Sequence, residues 1–107
     1  MPVRIKPGVS IRGISPEMSV CIQVVEGFYA RKRAGDLWIT SCTEGKHRSG
    51  SLHYVGSAID TRIWSISEKL RDQFAKELSE ELGDEFDCVL ELNHIHIEYQ
   101  PKGALNV

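Results

Sequence analysis

From Ser15 to Gly35 apolar side chains return every three or four positions, at Val20, Cys21, Val24, Val25 and Phe28. That spacing predicts a helix with one buried face. Ser15-Pro16-Glu17 supplies its start: a hydroxyl to cap free N–H groups, a proline in the first turn and an acid at the positive dipole end. Arg31-Lys32-Arg33 suits the last turn, and Gly35 can close it. The period then shortens. Leu37-Trp38-Ile39-Thr40 is β-branched and aromatic and predicts a strand over 36–41, and alternation over 57–63 predicts a second. Ser65-Ile66-Ser67-Glu68 has the form of a capping box. Ile66, Leu70, Phe74, Leu78 and Leu82 follow at helical intervals until Gly83. Residues 86–92 and 94–99 read as two further strands turning near Asn93. Residues 1–14, with Pro2, Pro7, Gly8 and Gly13, suit an arm or edge strand, and the polar stretch 43–51 suits a loop. The order helix, strand, strand, helix, strand, strand predicts an α+β fold, a small, mainly antiparallel sheet flanked by two helices.

Composition narrows the function classes. A chain of 107 residues is one domain, 1–107, large enough to bury its own core. Its net charge of −2 gives no electrostatic case for nucleic acid or an anionic membrane. No segment approaches the ~20 apolar residues of a membrane span. The N-terminus, Met1-Pro2-Val3-Arg4-Ile5-Lys6-Pro7, lacks the apolar run of a signal peptide. Synthesis in the cytoplasm is therefore expected, and any work outside it needs separate release. Cys21, Cys42 and Cys88 are odd in number and widely spaced, which argues against a disulfide framework and assigns them to packing. Trp38 and Trp64 are assigned to the core, with a place at the border of the cleft as the alternative for Trp64.

The chemistry concentrates in two segments, Ser51-Leu52-His53-Tyr54-Val55-Gly56-Ser57-Ala58-Ile59-Asp60 and His94-Ile95-His96. All four histidines lie in or beside them. Side chains two apart share a face of a strand. Asp60 therefore falls with Ala58 and Arg62, and His94 with His96 and Glu98, while isoleucines take the opposite faces. If the two strands converge, His53, Asp60 and His96 offer two imidazoles and a carboxylate. That is a ligand set for catalytic zinc with one position left for water. Spacing alone also suits an ordinary solvent-facing sheet.

Ser51-X-His53-X-X-Gly56-X-Ala58-X-Asp60, followed by His94-X-His96, resembles the two-part signature of the zinc D-Ala-D-Ala carboxypeptidase and hedgehog-like metallopeptidase family, which includes bacterial and phage enzymes that cut peptidoglycan peptides. The resemblance spans roughly residues 37–99 and matches the first motif in all five defined positions. It implies zinc ligands at His53, Asp60 and His96, a small antiparallel sheet with flanking helices, and a substrate contact at Ser51. Many members carry an acid three residues before the last zinc histidine. Here that position is Asn93, which cannot serve as a base. Members with a histidine two residues before the ligand point to His94 as the base, and Glu91 is the second candidate. Arg48 can pair with a substrate carboxylate through its planar fork, or be a plain loop cation.

The expected activity is zinc-dependent hydrolysis of a cell-wall peptide bond, as a D,D-carboxypeptidase or endopeptidase. A phage or prophage source, with lysis machinery supplying the exit, fits the resemblance. The alternative is a zinc-binding structural or binding module of the same fold that has lost turnover, and Asn93 favours it. A third reading is a plain globular domain with surface histidines. Gly56 is expected to allow close approach between His53 and the neighbouring strand.

Overall fold

The computed structural model describes residues 3–44 and 56–101. Its elements run β1 (Val3–Ile5), α1 (Pro16–Arg31), β2 (Leu37–Ser41), β3 (Ala58–Arg62), a short 3-10 turn (Glu68–Leu70), α2 (Arg71–Leu82), β4 (Phe86–Leu90) and β5 (His94–Tyr99). The five strands form one sheet in the order β1-β2-β3-β5-β4. All pairings are antiparallel except β1 with β2. The α+β architecture is the one the residue pattern predicts, and the N-terminal arm contributes the edge strand β1. Among the described residues no helix is long and apolar enough to cross a membrane.

Ser15 caps α1 as its sequence suggests, its Oγ accepting from the Met18 N–H at 3.2 Å. The buried stripe of α1 is Met18, Cys21, Val25, Phe28 and Tyr29. This differs from the expected face, because Val20 is left 60% exposed. Tyr29 wins a place in the core because its hydroxyl finds partners there, Thr61 Oγ1 at 3.3 Å and the Arg62 carbonyl at 3.1 Å. Phe28 and Tyr29 meet Phe74 of α2 edge to face, each with ring centroids 5.1 Å apart.

The second capping motif folds differently from its reading. Ser65 Oγ donates to the carbonyl of Ala34 instead of capping a helix. A 3-10 turn then precedes α2, and Gly83 ends that helix at φ +85°. Leu70, expected on the buried face, is exposed, while Ile66, Phe74, Ala75 and Leu78 enter the core.

Both helices contribute to one cluster with Leu37 and Ile39 of β2, Ile59 and Ile63 on and just beyond β3, and Ile95 and Ile97 of β5. The isoleucines are fully buried. One sheet face thus serves the core, and the alternate residues of each strand are left for other duties. Cys21 and Cys42 are buried and Cys88 packs against the core, all as free thiols. Burial pushes Cys21 and Cys88 up to about 12 and Cys42 to about 11, so these thiols are poor nucleophiles and poor ligands.

Candidate metal centre

Strand β5 returns from the β4 hairpin and inserts between β4 and β3, so β3 and β5 are immediate neighbours. In their register Asp60 faces His96, Arg62 faces His94 and Ala58 faces Glu98. All six side chains project from the sheet face opposite the isoleucines. Two segments 36 residues apart in the chain thereby meet directly.

His96 is held at both ring nitrogens. Its Nδ1 lies 2.9 Å from Asp60 Oδ1, and its Nε2 lies 2.7 Å from Glu98 Oε1. The other Glu98 oxygen accepts from the Gln100 side-chain amide, which fixes the carboxylate plane. His96 is consequently a stronger base than a free histidine. The Asp60 hydrogen bond is the main cause, burial opposes it, and the Glu98 bond adds to it. Ala58, opposite Glu98, is fully buried.

His94 stands one register step along the same face. Its Nε2 is 3.7 Å from Asp60 Oδ2, and its Nδ1 is 2.7 Å from Asn93 Oδ1. The amide oxygen of Asn93 can only accept, so the contact at Nδ1 is a hydrogen bond when that nitrogen carries a proton. Asn93 is no base, and its part here is to hold the His94 ring. Glu91 closes the hairpin, its backbone N–H donating to the His94 carbonyl at 2.9 Å. It is exposed at the hairpin end.

Of the residues singled out from sequence, the fold brings Asp60, His94 and His96 together and sets Glu91 at the adjoining turn. Arg48, Ser51 and His53 lie outside the described residues. Among the described residues, no group of three or more His, Cys, Asp and Glu side chains is arranged to hold a metal ion. Asp60 and His96 supply two donors of the right chemistry from adjacent strands. Their 2.9 Å separation is close to the ~3.3 Å between ligand atoms that ~2.0–2.1 Å bonds and a tetrahedral angle require. The Glu98 contact also suits a ligand, because a metal-bound imidazole commonly gives its second N–H to a carboxylate.

Two sequence readings need correction here. Trp64 is not a core residue: it is 70% exposed. Trp38 sits on the polar face of β2, half-buried, with Arg62 within cation–π distance of both rings. Gly56 also approaches the chain before α1, since a Cβ there would fall 2.1 Å from the Gly13 carbonyl oxygen; its expected approach to His53 lies outside the described residues. Residues missed from sequence are Glu98 as the partner of His96, and Lys6, Thr40 and Ser41. These last three line a cavity of about 240 Å³ together with Asp60, Arg62, Trp64, Asn93 and His94. Glu98 was on the right strand face to be found. Lys6 belongs to a segment whose place beside β2 no local pattern encodes.

No family model, curated protein or solved structure matches the chain.

Proposed function

We propose that the chain is a zinc-dependent peptidase acting on bacterial cell-wall peptides. The observation that carries this reading is the clamp on His96, with Asp60 at one ring nitrogen and Glu98 at the other. Asp60 and His96 would hold the ion with His53, the third ligand the motif implies. When bound, zinc polarises the scissile carbonyl and brings the pKa of its water toward ~7.

The remaining work falls to this chain's own side chains. His96 would hold the metal on its Asp60 side, and Glu98 would keep the ring oriented from the other nitrogen. His94, with Nε2 unprotonated, would take a proton from the attacking water and return it to the leaving amine. Glu91 is the second candidate for that transfer. Arg48 and Ser51 are the proposed substrate contacts.

The second reading, a zinc-binding module without turnover, is favoured by Asn93 at the position where many members of the resembled family carry an acid. Two measurements separate the readings. The purified protein should hold about one zinc per chain, lost in Asp60→Ala and His96→Ala. Mass spectrometry of defined muropeptides, with zinc or with chelator, should then show metal-dependent cleavage that collapses in His94→Ala. Zinc binding without cleavage would leave only the binding module. Failure to bind zinc would remove both readings.

A further inference from the structure

Arg62 is built into an unusual setting. Its guanidinium carbon lies 4.5 Å from the Trp38 ring centroid and 3.9 Å from that of Trp64. Both indoles therefore lie within cation–π reach of the guanidinium. Its N–H groups are left for hydrogen bonding. Its Nε is buried with no hydrogen-bond partner, a desolvated donor that is costly to leave unpaired. Among the described residues no carboxylate forms an ion pair with Arg62. Asp60, two positions earlier on the same strand face, is engaged with His96.

The cavity that Arg62 and Trp64 line also contains Lys6, Thr40 and Ser41 and opens onto Asp60 and His94. It combines two cations and two hydroxyls with one already committed carboxylate. A planar anion with two in-plane oxygens matches the arginine fork, which can bind it edge-on with two parallel bonds. Two residues along a strand span about 6.6 Å, roughly two residues of an extended peptide.

We propose that Arg62, clasped by Trp38 and Trp64 and assisted by Lys6, forms a carboxylate-binding subsite that holds an acidic group of a peptide ligand within about two residues of the bond placed over Asp60 and His96. This deepens the peptidase reading and rests on it for the position of the scissile bond. The anion-binding claim stands on the Arg62 setting alone.

The test uses the whole chain with chelator present and follows the Arg62 Nε–H resonance by NMR together with tryptophan fluorescence. Acetyl-D-Ala-D-Ala with a free carboxylate is titrated beside its C-terminal amide and beside inorganic phosphate. The subsite is supported if the acid shifts the Nε–H signal downfield and binds about tenfold or more tightly than the amide, the loss expected for a charge-assisted pair. Arg62→Lys keeps the charge but loses the fork and should weaken the acid to a similar degree. Lys6→Gln, an exposed change that leaves the fold intact, should weaken it less. Equal binding of acid and amide, acid binding with an unmoved Nε–H signal, or a response to phosphate alone would each overturn the proposal. Cleavage assays on the zinc-loaded protein keep the two ideas apart. Cleavage unaffected by Arg62→Lys sinks the subsite and leaves the peptidase. Fork-dependent acid binding without any cleavage supports the subsite and removes the peptidase.

Discussion

Replacing Gly56 by alanine is expected to damage this fold far more than replacing a glycine of the same backbone conformation elsewhere. Gly56 sits at φ +73°, and its added Cβ would lie 2.1 Å from the Gly13 carbonyl oxygen and 2.8 Å from the Ile14 Cα. Both neighbours are backbone atoms, so no side-chain rotation relieves the contact. Gly13 provides the matched control, at φ +75° with open space around its Cβ position. The left-handed conformation costs an alanine about 1–2 kcal/mol at either position. At Gly56 the backbone must also move apart, at about 1–3 kcal/mol for forced overpacking. That movement strains the bond from the Ser15 N–H to the Gly56 carbonyl, 3.0 Å long, which ties the start of α1 to the segment leading into β3. Losing it adds about 0.5–1.5 kcal/mol. The total for Gly56→Ala is about 3–6 kcal/mol, a large part of the ~5–15 kcal/mol that holds a typical domain. At about 5 °C per kcal/mol for a chain near this size, Gly56→Ala should lower Tm by about 15 °C or more and Gly13→Ala by about 5–10 °C. Thermal unfolding followed by far-UV circular dichroism on metal-free protein measures both. Equal melting of the two variants, to within about 3 °C, would refute the claim that close backbone approach is why the motif needs glycine.

Three further outcomes follow from the same geometry. Glu98→Gln should weaken zinc binding about 10–100-fold by removing the carboxylate that orients His96, read by competition with a chromophoric chelator; unchanged affinity would show that Glu98 does not support the centre. Tyr29 has its pKa raised from 10.0 to about 12, chiefly by burial, with the Thr61 hydrogen bond opposing. The neutral phenol is favoured in the native state, so this contribution is complete below pH 10 and is lost as pH climbs through about 12. At ~1.36 kcal/mol per pKa unit the wild type should lose about 3 kcal/mol over that window relative to Tyr29→Phe. Urea unfolding at stepped pH checks this, and parallel pH profiles would contradict it. Finally, alkylation of native Cys21 by iodoacetamide should stay slow at pH 8, since its thiol is buried and pushed up to about 12; rapid native labelling would show that the core opens there.

The alternation of polar and apolar residues in β3 and β5 was enough to identify the core face, because a strand offers only two faces and isoleucine fills one of them in both. Ser15-Pro16 was legible for a related reason: a cap acts on N–H groups within its own turn. The misreadings share a different cause. Ser65 looks like a cap locally, but the Ala34 carbonyl, 31 residues away, takes its hydroxyl. Tyr29, absent from the predicted apolar stripe, takes a core place because Thr61 and the Arg62 carbonyl meet its hydroxyl. Trp64 reads as core, although the partner it finds is the Arg62 cation on the outer face. In each case a long-range polar partner overrode a correct local preference. The candidate centre was half legible for the same reason: Asp60, His94 and His96 follow from alternation, whereas Glu98 gains its role only from the ring nitrogen beside it.

The juxtaposition of Asp60 and His96 does not depend on their attraction for one another. Sliding β5 by one residue against β3 would turn Ile95 and Ile97 to the outer face and drive His94 and His96 into the core. Burying one isoleucine is worth about 1.5–3 kcal/mol, so the correct register gains about 3–6 kcal/mol from β5 alone, before the cost of burying two imidazoles. The partly buried Asp60–His96 contact contributes far less than that. His96→Ala should therefore leave the metal-free fold nearly intact while removing the candidate centre, with Tm falling by no more than about 8 °C. Loss of cooperative unfolding in that variant would mean that the polar pair, not the isoleucine pattern, sets the strand register, and that the hydrophobic face is too weak to preorganise a metal site.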